Sequence, residues 1–183
     1  MKTAAFVGRF QPFHRGHKKV VEEYSGDYDL KILIGSSEKE GEEKNPLSFE
    51  ERKKLIELCF PDIEIIGIAD EDGGEEGNKR WMEKLKEKSD AEIVISRNNL
   101  VKELVREDED LELVEQEHYR REIYSGTEIR RRVRSGGEWR YLVPECCEED
   151  FREHLKKIRE SGIQYDFEPG WKKENSYHDT FEK

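Results

Sequence analysis

Residues 8–17, "GRFQPFHRGH", place a group of side chains suited to phosphate chemistry directly behind the short apolar run "TAAFVG". His14 and His17 are three positions apart, which puts both imidazoles near one face of the first turn of a helix starting near Gly16. The free N–H groups and the dipole at a helix start favour an anion, and Arg9 adds a positive charge. The stretch therefore predicts a phosphate-binding pocket at the end of a strand.

Two other interpretations of this stretch are open. The histidines could belong to an ordinary surface turn, or they could bind zinc, because histidines three residues apart can share a metal. A zinc site needs a third ligand, and the remaining histidines lie far along the chain, at His118, His154 and His178. The glycine spacing matches neither a Walker A loop nor a G-x-G-x-x-G loop.

A second stretch, "YSGTEIRRR" at 124–132, has the features of a helix start beside an anion. Ser125 and Glu128 have capping-box spacing, so a helix begins here, and Arg130 lies about one turn inside it. The N–H groups that open this helix belong to Gly126 and Thr127. A helix start combined with an arginine fork suits a polyphosphate. The alternative is a basic nucleic-acid patch formed by the run "RRRVR".

These two stretches resemble the paired motifs of the nucleotidylyltransferase superfamily, H-x-G-H and S-x-T-x-x-R, in the form used by archaeal nicotinamide-mononucleotide adenylyltransferases. The segments "KNPLSFEER", "SRNNLV" and "GGEWRYLVPE" are similar to the same family. The resemblance covers roughly residues 3–145 and implies adenylyl transfer. A phosphate oxygen of nicotinamide mononucleotide (NMN) would attack the α-phosphorus of ATP, giving NAD⁺ and pyrophosphate.

The resemblance also implies roles for individual residues. His14 and His17 would bind the ATP phosphates, and Arg9 and Arg130 would clamp the triphosphate. Further ATP contacts would come from Gly8, Phe10, Gln11, Gly16, Lys44, Ser125, Gly126 and Thr127. Lys44 stands where relatives can carry an arginine, so it keeps the charge without the bidentate fork.

The acceptor side of the site follows from the same resemblance. The NMN-binding residues would be Asn78, Trp81, Ser96 and Asn98, with Trp81 stacked on the cationic nicotinamide ring. The alternative for Trp81 is a side chain that anchors its helix to the core. Arg97 and Asn99 depart from the family pattern, in which glycine and proline are usual, so Arg97 either crowds this loop or adds an anion contact.

The family also suggests a metal ion and an assembly state. Mg²⁺ would accompany ATP, held mainly by phosphate oxygens and water, with no protein ligand cluster. The protein would form a homo-oligomer, often a hexamer in relatives. Other acceptors remain open, namely phosphopantetheine, FMN or a polyol phosphate, as does a nucleotide sensor without turnover.

Short apolar runs alternate with Lys/Glu-rich amphipathic stretches along the chain, which predicts an α/β fold. The expected architecture is a Rossmann-like, doubly wound parallel sheet with helices on both faces and a helical C-terminal part. The five expected strands are 3–8, 29–36, 62–69, 91–96 and 111–116. The expected helices include 16–26, 48–60, one opening at "NKRW" after a loop at 70–77, 126–135 and 145–160. Residues 1–145 would form the nucleotidylyltransferase domain, and 146–183 a C-terminal helix and polar tail.

The composition limits the remaining function classes. Charged residues make up 42% of the 183-residue chain and the net charge is -11, which argues against general nucleic-acid binding. No run approaches the roughly 20 apolar residues of a membrane span, and no signal peptide is evident. The Glu/Lys-rich surface is typical of heat-adapted proteins, and an acidic surface is also found at high salt. The three cysteines, Cys59, Cys146 and Cys147, predict no disulfide framework and hence a reducing cytoplasm.

Overall fold

The computed structural model describes residues 1–115 and 123–162 and shows one five-stranded parallel sheet. Strands β1 and β2 are Thr3–Gly8 and Asp29–Ile34; the others are β3 (Ile65–Gly67), β4 (Ile93–Ser96) and β5 (Glu112–Val114). Their order is β3-β2-β1-β4-β5. All five lie within the expected strands, but the structure shortens the ends of every strand except β1.

Helices connect the strands as the alternating pattern predicts. They are α1 (Arg15–Tyr24), α2 (Phe49–Glu57), α3 (Gly74–Ser89), α4 (Asn99–Glu107), α5 (Gly126–Ser135), α6 (Glu148–Glu153) and α7 (Leu155–Glu160). One hydrophobic cluster lies on each face of the sheet, because β1, β2 and β4 bury side chains on both faces. This confirms the Rossmann-like, doubly wound arrangement, which suits parallel strands buried on both sides.

The ends of several helices differ from the sequence prediction, and α2 ends at Glu57, three residues before the predicted end at residue 60. Helix α1 ends at Tyr24, two residues before Gly26. Helix α3 begins at Gly74, inside the stretch predicted as a loop. The predicted helix over 145–160 is a 3₁₀ turn at Glu145–Cys147 followed by α6 and α7.

The C-terminal helices pack against the rest of the protein within the described residues. Phe151 of α6 and Ile158 of α7 are fully buried, in one hydrophobic cluster with Ile129 and Val133 of α5. Trp139 meets Phe151 edge to face, with ring centroids 5.1 Å apart. The predicted tail, 163–183, lies outside the described residues. None of the helices in the described ranges has the length and apolar character that crossing a membrane requires.

The prediction that the cysteines form no disulfide framework is wrong, because Cys59 and Cys146 form a disulfide. The two residues are 87 positions apart, so their proximity depends on the packing of the chain after α2 against the 145–147 turn. Cys147 is a free, buried thiol, and the three sulfur atoms lie within 4.8 Å of one another. Spacing along the chain carries no signal for this pair.

Candidate active site

A cavity of about 660 Å³ opens at the carboxyl ends of β1 and β4. The strand order reverses between these two strands, and doubly wound sheets bind ligands at this position. Most predicted site residues line the cavity, namely Gly8, Arg9, Phe10, Gln11, His14, His17, Asn78, Trp81, Asn98, Ser125, Gly126, Thr127 and Arg130. The two motifs, more than a hundred residues apart, therefore share one cavity.

Three predicted site residues do not line this cavity. Gly16 lies behind the His14 ring, which a Cβ at position 16 would approach to 3.1 Å. Lys44 is exposed outside the cavity, and Lys39 lines the wall instead, paired with Asp70 at 2.8 Å. The Ser96 side chain is buried, where its Oγ accepts a hydrogen bond from the Asn98 N–H. Lys39 was missed because its loop has no periodic pattern that would indicate which side chains point inward.

His14 forms the N-terminal cap of α1. Its backbone is extended, with φ -144° and ψ 170°, and its Nδ1 accepts a hydrogen bond from the His17 N–H at 3.3 Å. The accepting nitrogen carries no proton, so the neutral imidazole carries its proton on Nε2. The His14 and His17 rings stack with their centroids 3.5 Å apart, which confirms that both imidazoles lie together at the helix start.

Both histidines are neutral in the ligand-free site. Burial, together with a smaller contribution from the Arg97 guanidinium, lowers the pKa of His14 to about 3. Burial lowers the pKa of His17 as well, with smaller contributions from His14 and Arg97. The positive charge of the cavity therefore comes from its arginines and the start of α1, while the histidines supply hydrogen-bonding groups.

Arg130 connects the second motif to the first. Its Nη1 donates to the Gln11 carbonyl at 2.6 Å, and its Nη2 donates to Thr127 Oγ1 at 3.3 Å. Burial and the neighbouring Arg9 lower its pKa to about 10, which leaves it charged at neutral pH. Among the described residues, Arg130 Nε and His17 Nδ1 are buried without a hydrogen-bond partner. Buried polar atoms usually have partners, so this wall is suited to a polar ligand.

The other arginines of the "RRRVR" run point elsewhere. Arg131 and Arg132 both pair with Glu128, whose pKa falls to about 2 as a result. Arg134 donates to the carbonyls of Glu43 and Ile158. The run is therefore divided between an ion-pair cluster, backbone contacts and a single arginine in the cavity.

Gln11 contributes to the site through its backbone. Its side-chain amide is buried and makes two hydrogen bonds with the Leu47 main chain, at 2.8 and 2.9 Å. A Cβ at Gly126 would lie only 2.6 Å from the Gln11 carbonyl oxygen. Glycine at 126 thus allows α5 to start against the loop after β1.

The predicted acceptor residues line the same cavity. Trp81 is partly buried on α3 and packs against the core cluster of that sheet face, as the anchoring alternative predicts, and it also lines the cavity. Asn98 caps α4, where its Oδ1 accepts from the N–H groups of Leu100 and Val101. Arg97 lines the cavity beside the histidines whose pKa it lowers.

Arg52 was not predicted from the sequence. It is completely buried, and it donates to backbone carbonyls of the loops that follow β1 and β2. The available signal was its place one turn after the capping residue Ser48, on the helix face that also carries the buried Leu55 and Ile56. That pattern predicts burial but gives no partner.

Comparisons with known proteins agree with this geometry. The cytidylyltransferase-like family model matches residues 5–132. A nicotinamide-nucleotide adenylyltransferase of Methanolobus tindarius is 35% identical, covering 90% of this chain and 99% of that protein. A protein with the same description from Methanococcus aeolicus is 37% identical, with 77% of this chain and 83% of that protein covered.

Solved structures support the fold. A bifunctional NMN adenylyltransferase/ADP ribose pyrophosphatase from Francisella tularensis, complexed with AMP and a manganese ion, has a TM-score of 0.69 at 19% identity. The match covers 88% of this chain and 52% of that one, so the chain spans about half the length of this structural relative. From the family model and the curated relatives together, the chain belongs to the cytidylyltransferase-like family, among the nicotinamide-nucleotide adenylyltransferases, which are nucleotidyltransferases.

Proposed function

We propose that this protein transfers the adenylyl group of ATP to the phosphate of NMN, giving NAD⁺ and pyrophosphate in NAD biosynthesis. The observation that carries the proposal is the meeting of His14, His17 and Arg130 in one cavity, with buried polar atoms of two of them lacking partners. The description shared by the curated relatives supports NMN as the acceptor.

The chemistry needs alignment of two anions and neutralisation of charge, with no covalent intermediate on the protein. The NMN phosphate oxygen forms a bond to the α-phosphorus of ATP, and the bond from that phosphorus to the β-phosphate oxygen breaks. The Nε2–H of His14, which points away from the cap it forms through Nδ1, donates to a phosphate oxygen. Arg9 and Arg130 stabilise the negative charge on the departing pyrophosphate.

The acceptor binds at the α3 and α4 end of the cavity. The nicotinamide ring stacks on Trp81, because a flat cationic ring is attracted to the face of an indole. Asn78, one helical turn before Trp81, and Asn98 line the same cavity, and their amide groups bind the carboxamide. These contacts determine which acceptor binds. The first motif and Arg130 bind the triphosphate, which all nucleotide donors have in common.

Mg²⁺ enters as part of the MgATP substrate. Three carboxylates line the cavity: Asp70 is bound by Ser36 and Lys39, and Glu71 is paired with Arg80 and Lys84. This leaves Asp72 among the described wall residues, and one carboxylate is fewer than a protein ligand cluster for a metal needs. The donor set therefore fits an ion held mainly by phosphate oxygens and water. From the family resemblance we further infer a cytoplasmic homo-oligomer, and light scattering of the purified protein measures the number of subunits.

A panel of acceptors tests the proposed function. Purified protein is incubated with MgATP and NMN, nicotinic acid mononucleotide, FMN, phosphopantetheine or a polyol phosphate, and pyrophosphate release is followed. We expect the highest turnover with NMN. Turnover with FMN or phosphopantetheine but not with NMN would show that NMN is not the acceptor. ATP binding without turnover on any acceptor would indicate a nucleotide sensor.

Replacing His17 tests the phosphate end of the site. We expect His17→Ala to lower kcat at least a hundredfold, the usual loss when one donor to a developing charge is removed, while the Kd for MgATP changes less than tenfold. Arg152→Ala, an exposed change on α6, is the matched control and keeps wild-type kinetics. Near-normal turnover of His17→Ala with an unchanged circular dichroism spectrum would contradict the role given to this imidazole.

A further inference from the structure

Arg52 is bound entirely by main-chain oxygens. The guanidinium has five N–H donors, and its side chain donates five hydrogen bonds of 3.0 to 3.4 Å to the carbonyls of Arg9, Gly35, Ser36, Ser37 and Ser48. Three of these carbonyls belong to residues that line the cavity, namely Arg9, Gly35 and Ser36. Arg52 thus joins the loops after β1 and β2 from behind the cavity wall and has no donor left for a ligand.

No carboxylate in the described ranges forms an ion pair with Arg52, although the negative charges of Glu38, Asp70 and Glu51 lie near enough to favour its charged form. Burial lowers its pKa to about 10, and it is still charged at neutral pH. A buried cation without a counter-ion is costly, and carbonyl dipoles offset only part of this cost. The charged guanidinium of Arg52 therefore lies behind the wall of a cavity that also carries Arg9 and Arg130.

Arg52 also adjoins two residues with unfavourable backbone conformations. Phe10 has φ +51° and Ser36 has φ +47°, in the left-handed region that residues other than glycine rarely adopt. Arg52 holds the carbonyl before Phe10 and the carbonyls on both sides of Ser36. Because a trans peptide directs its C=O and N–H oppositely, fixing the Arg9 carbonyl also fixes the direction of the Phe10 N–H.

We propose that Arg52 is a positioning residue for the polyphosphate of ATP: it holds the left-handed residues Phe10 and Ser36 in the cavity wall and places its positive charge behind them. This inference rests on the proposed function for the identity of the anion. Strained conformations at functional sites persist where surrounding contacts fix them, and here one side chain provides those contacts. A lysine cannot replace it, because an ammonium keeps the charge but has three donors and no planar fork.

The first test compares Arg52→Lys with Leu55→Ala, a core change on the same helix that lowers stability without touching the carbonyls. The Kd for MgATP is measured by calorimetry at 25 °C, where both variants are checked to be folded. We expect Arg52→Lys to weaken MgATP binding at least tenfold and Leu55→Ala to stay within twofold of wild type. Equal affinities in the two variants would overturn the proposal.

The second test needs no ligand, so it distinguishes this inference from the proposed function. Amide hydrogen exchange is measured on the ligand-free proteins for the segments 8–14 and 35–38. We expect exchange in both segments to be at least tenfold faster in Arg52→Lys than in Leu55→Ala. Unchanged exchange there would overturn the positioning role, whether or not the wild-type protein turns over NMN.

A double-mutant cycle isolates the backbone part of the role. Ser36→Gly removes the steric cost of a positive φ, because glycine adopts it freely. We expect Arg52→Lys to weaken MgATP binding less in the Ser36→Gly background than in the wild type, with a difference of at least threefold. Strict additivity of the two changes would overturn the claim that Arg52 holds Ser36.

Discussion

His14 has two roles that depend on different nitrogens of one imidazole. Nδ1 accepts the hydrogen bond that caps α1, and Nε2 retains the proton that can be donated to a phosphate oxygen. Both roles need the neutral ring, and burial keeps the ring neutral by lowering its pKa to about 3. A phosphate bound beside it would raise that pKa again, because an anion favours the protonated form.

The lowered pKa of His14 predicts a loss of stability in acid. Unfolded histidine titrates near 6.5, so between that pH and about 3 the unfolded chain binds a proton that the folded protein excludes. The free energy of unfolding therefore falls as the pH drops below 6.5, and this group costs about 2 kcal/mol at pH 5. Urea unfolding at pH 7.5 and pH 5.0 measures the decrease.

The matched variant is His14→Asn, because the asparagine amide oxygen can take the place of Nδ1 as the cap. We expect the loss of stability between pH 7.5 and pH 5.0 to be about 2 kcal/mol smaller in this variant than in the wild type. The same pH dependence in both proteins would contradict the burial of a neutral His14. Both proteins contain the same carboxylates, so the effect of carboxylate titration cancels when the pH-dependent losses of stability of the two proteins are compared.

Residue types and spacing predicted two separate phosphate-binding stretches, and the resemblance to a known family predicted that His14, His17 and Arg130 belong to one site; all three line one cavity. The charge state of the histidines was not predictable, because it depends on burial and on the approach of Arg97 from the loop that follows β4. The function of Arg52 was equally hidden, since its partners are backbone carbonyls and any residue can supply those. Contacts to the main chain leave no signature in a single sequence.

At the scale of elements, α5 and the loop after β1 form the cavity wall at which we propose that the triphosphate binds. Ser125 caps α5 by accepting from the Glu128 N–H at 3.2 Å, as the capping-box spacing predicts. The return arm of the box is not made, because the Glu128 carboxylate binds Arg131 and Arg132 instead. In α2 both arms are present, between Ser48 and Glu51. The difference arises because only α5 offers the glutamate two arginines one turn further on.

Gly126→Ala tests how closely α5 must approach the first motif. An added Cβ would lie 2.6 Å from the Gln11 carbonyl oxygen, so the start of α5 has to move and Arg130 loses its bond to that oxygen. We expect the Kd for MgATP to rise at least tenfold, measured by calorimetry. Gly26→Ala is the control, because a Cβ there meets nothing within 4 Å. Equal affinities in the two variants would mean that the contact between the motifs is not needed for binding.

Elements were predictable to the extent that local patterns determine them. The apolar runs identified all five strands, and capping residues located the starts of α2 and α5. The first turn of α3 was not predicted, because three of the five residues in "GGEEG" are glycines, which disfavour a helix. The break between α6 and α7 at His154 was likewise not predicted, because no glycine or proline lies there.

At the scale of the whole molecule, the disulfide between Cys59 and Cys146 ties the end of α2 to the turn that precedes the C-terminal helices. Disulfides inside cells are rare except in hyperthermophiles, and the Glu/Lys-rich surface is also typical of heat-adapted proteins. Burial, with the Asp150 carboxylate nearby, raises the pKa of the adjacent Cys147 thiol to about 12. This thiol stays protonated at neutral pH and does not attack the disulfide, since exchange requires the thiolate.

The double variant Cys59→Ser/Cys146→Ser tests what this bond contributes. Closing a loop of 87 residues restricts the unfolded chain, and removing it should lower the free energy of unfolding by about 4 kcal/mol. Neither cysteine lines the cavity, so kcat and KM at 25 °C should stay at wild-type values. Urea unfolding with and without a dithiol reductant measures the difference, and reductant should destabilise the wild type by the same amount while leaving the variant unchanged. Three free thiols in the unreduced, denatured wild type would contradict the bond. Lower activity of the variant at 25 °C would mean that the disulfide affects the active site.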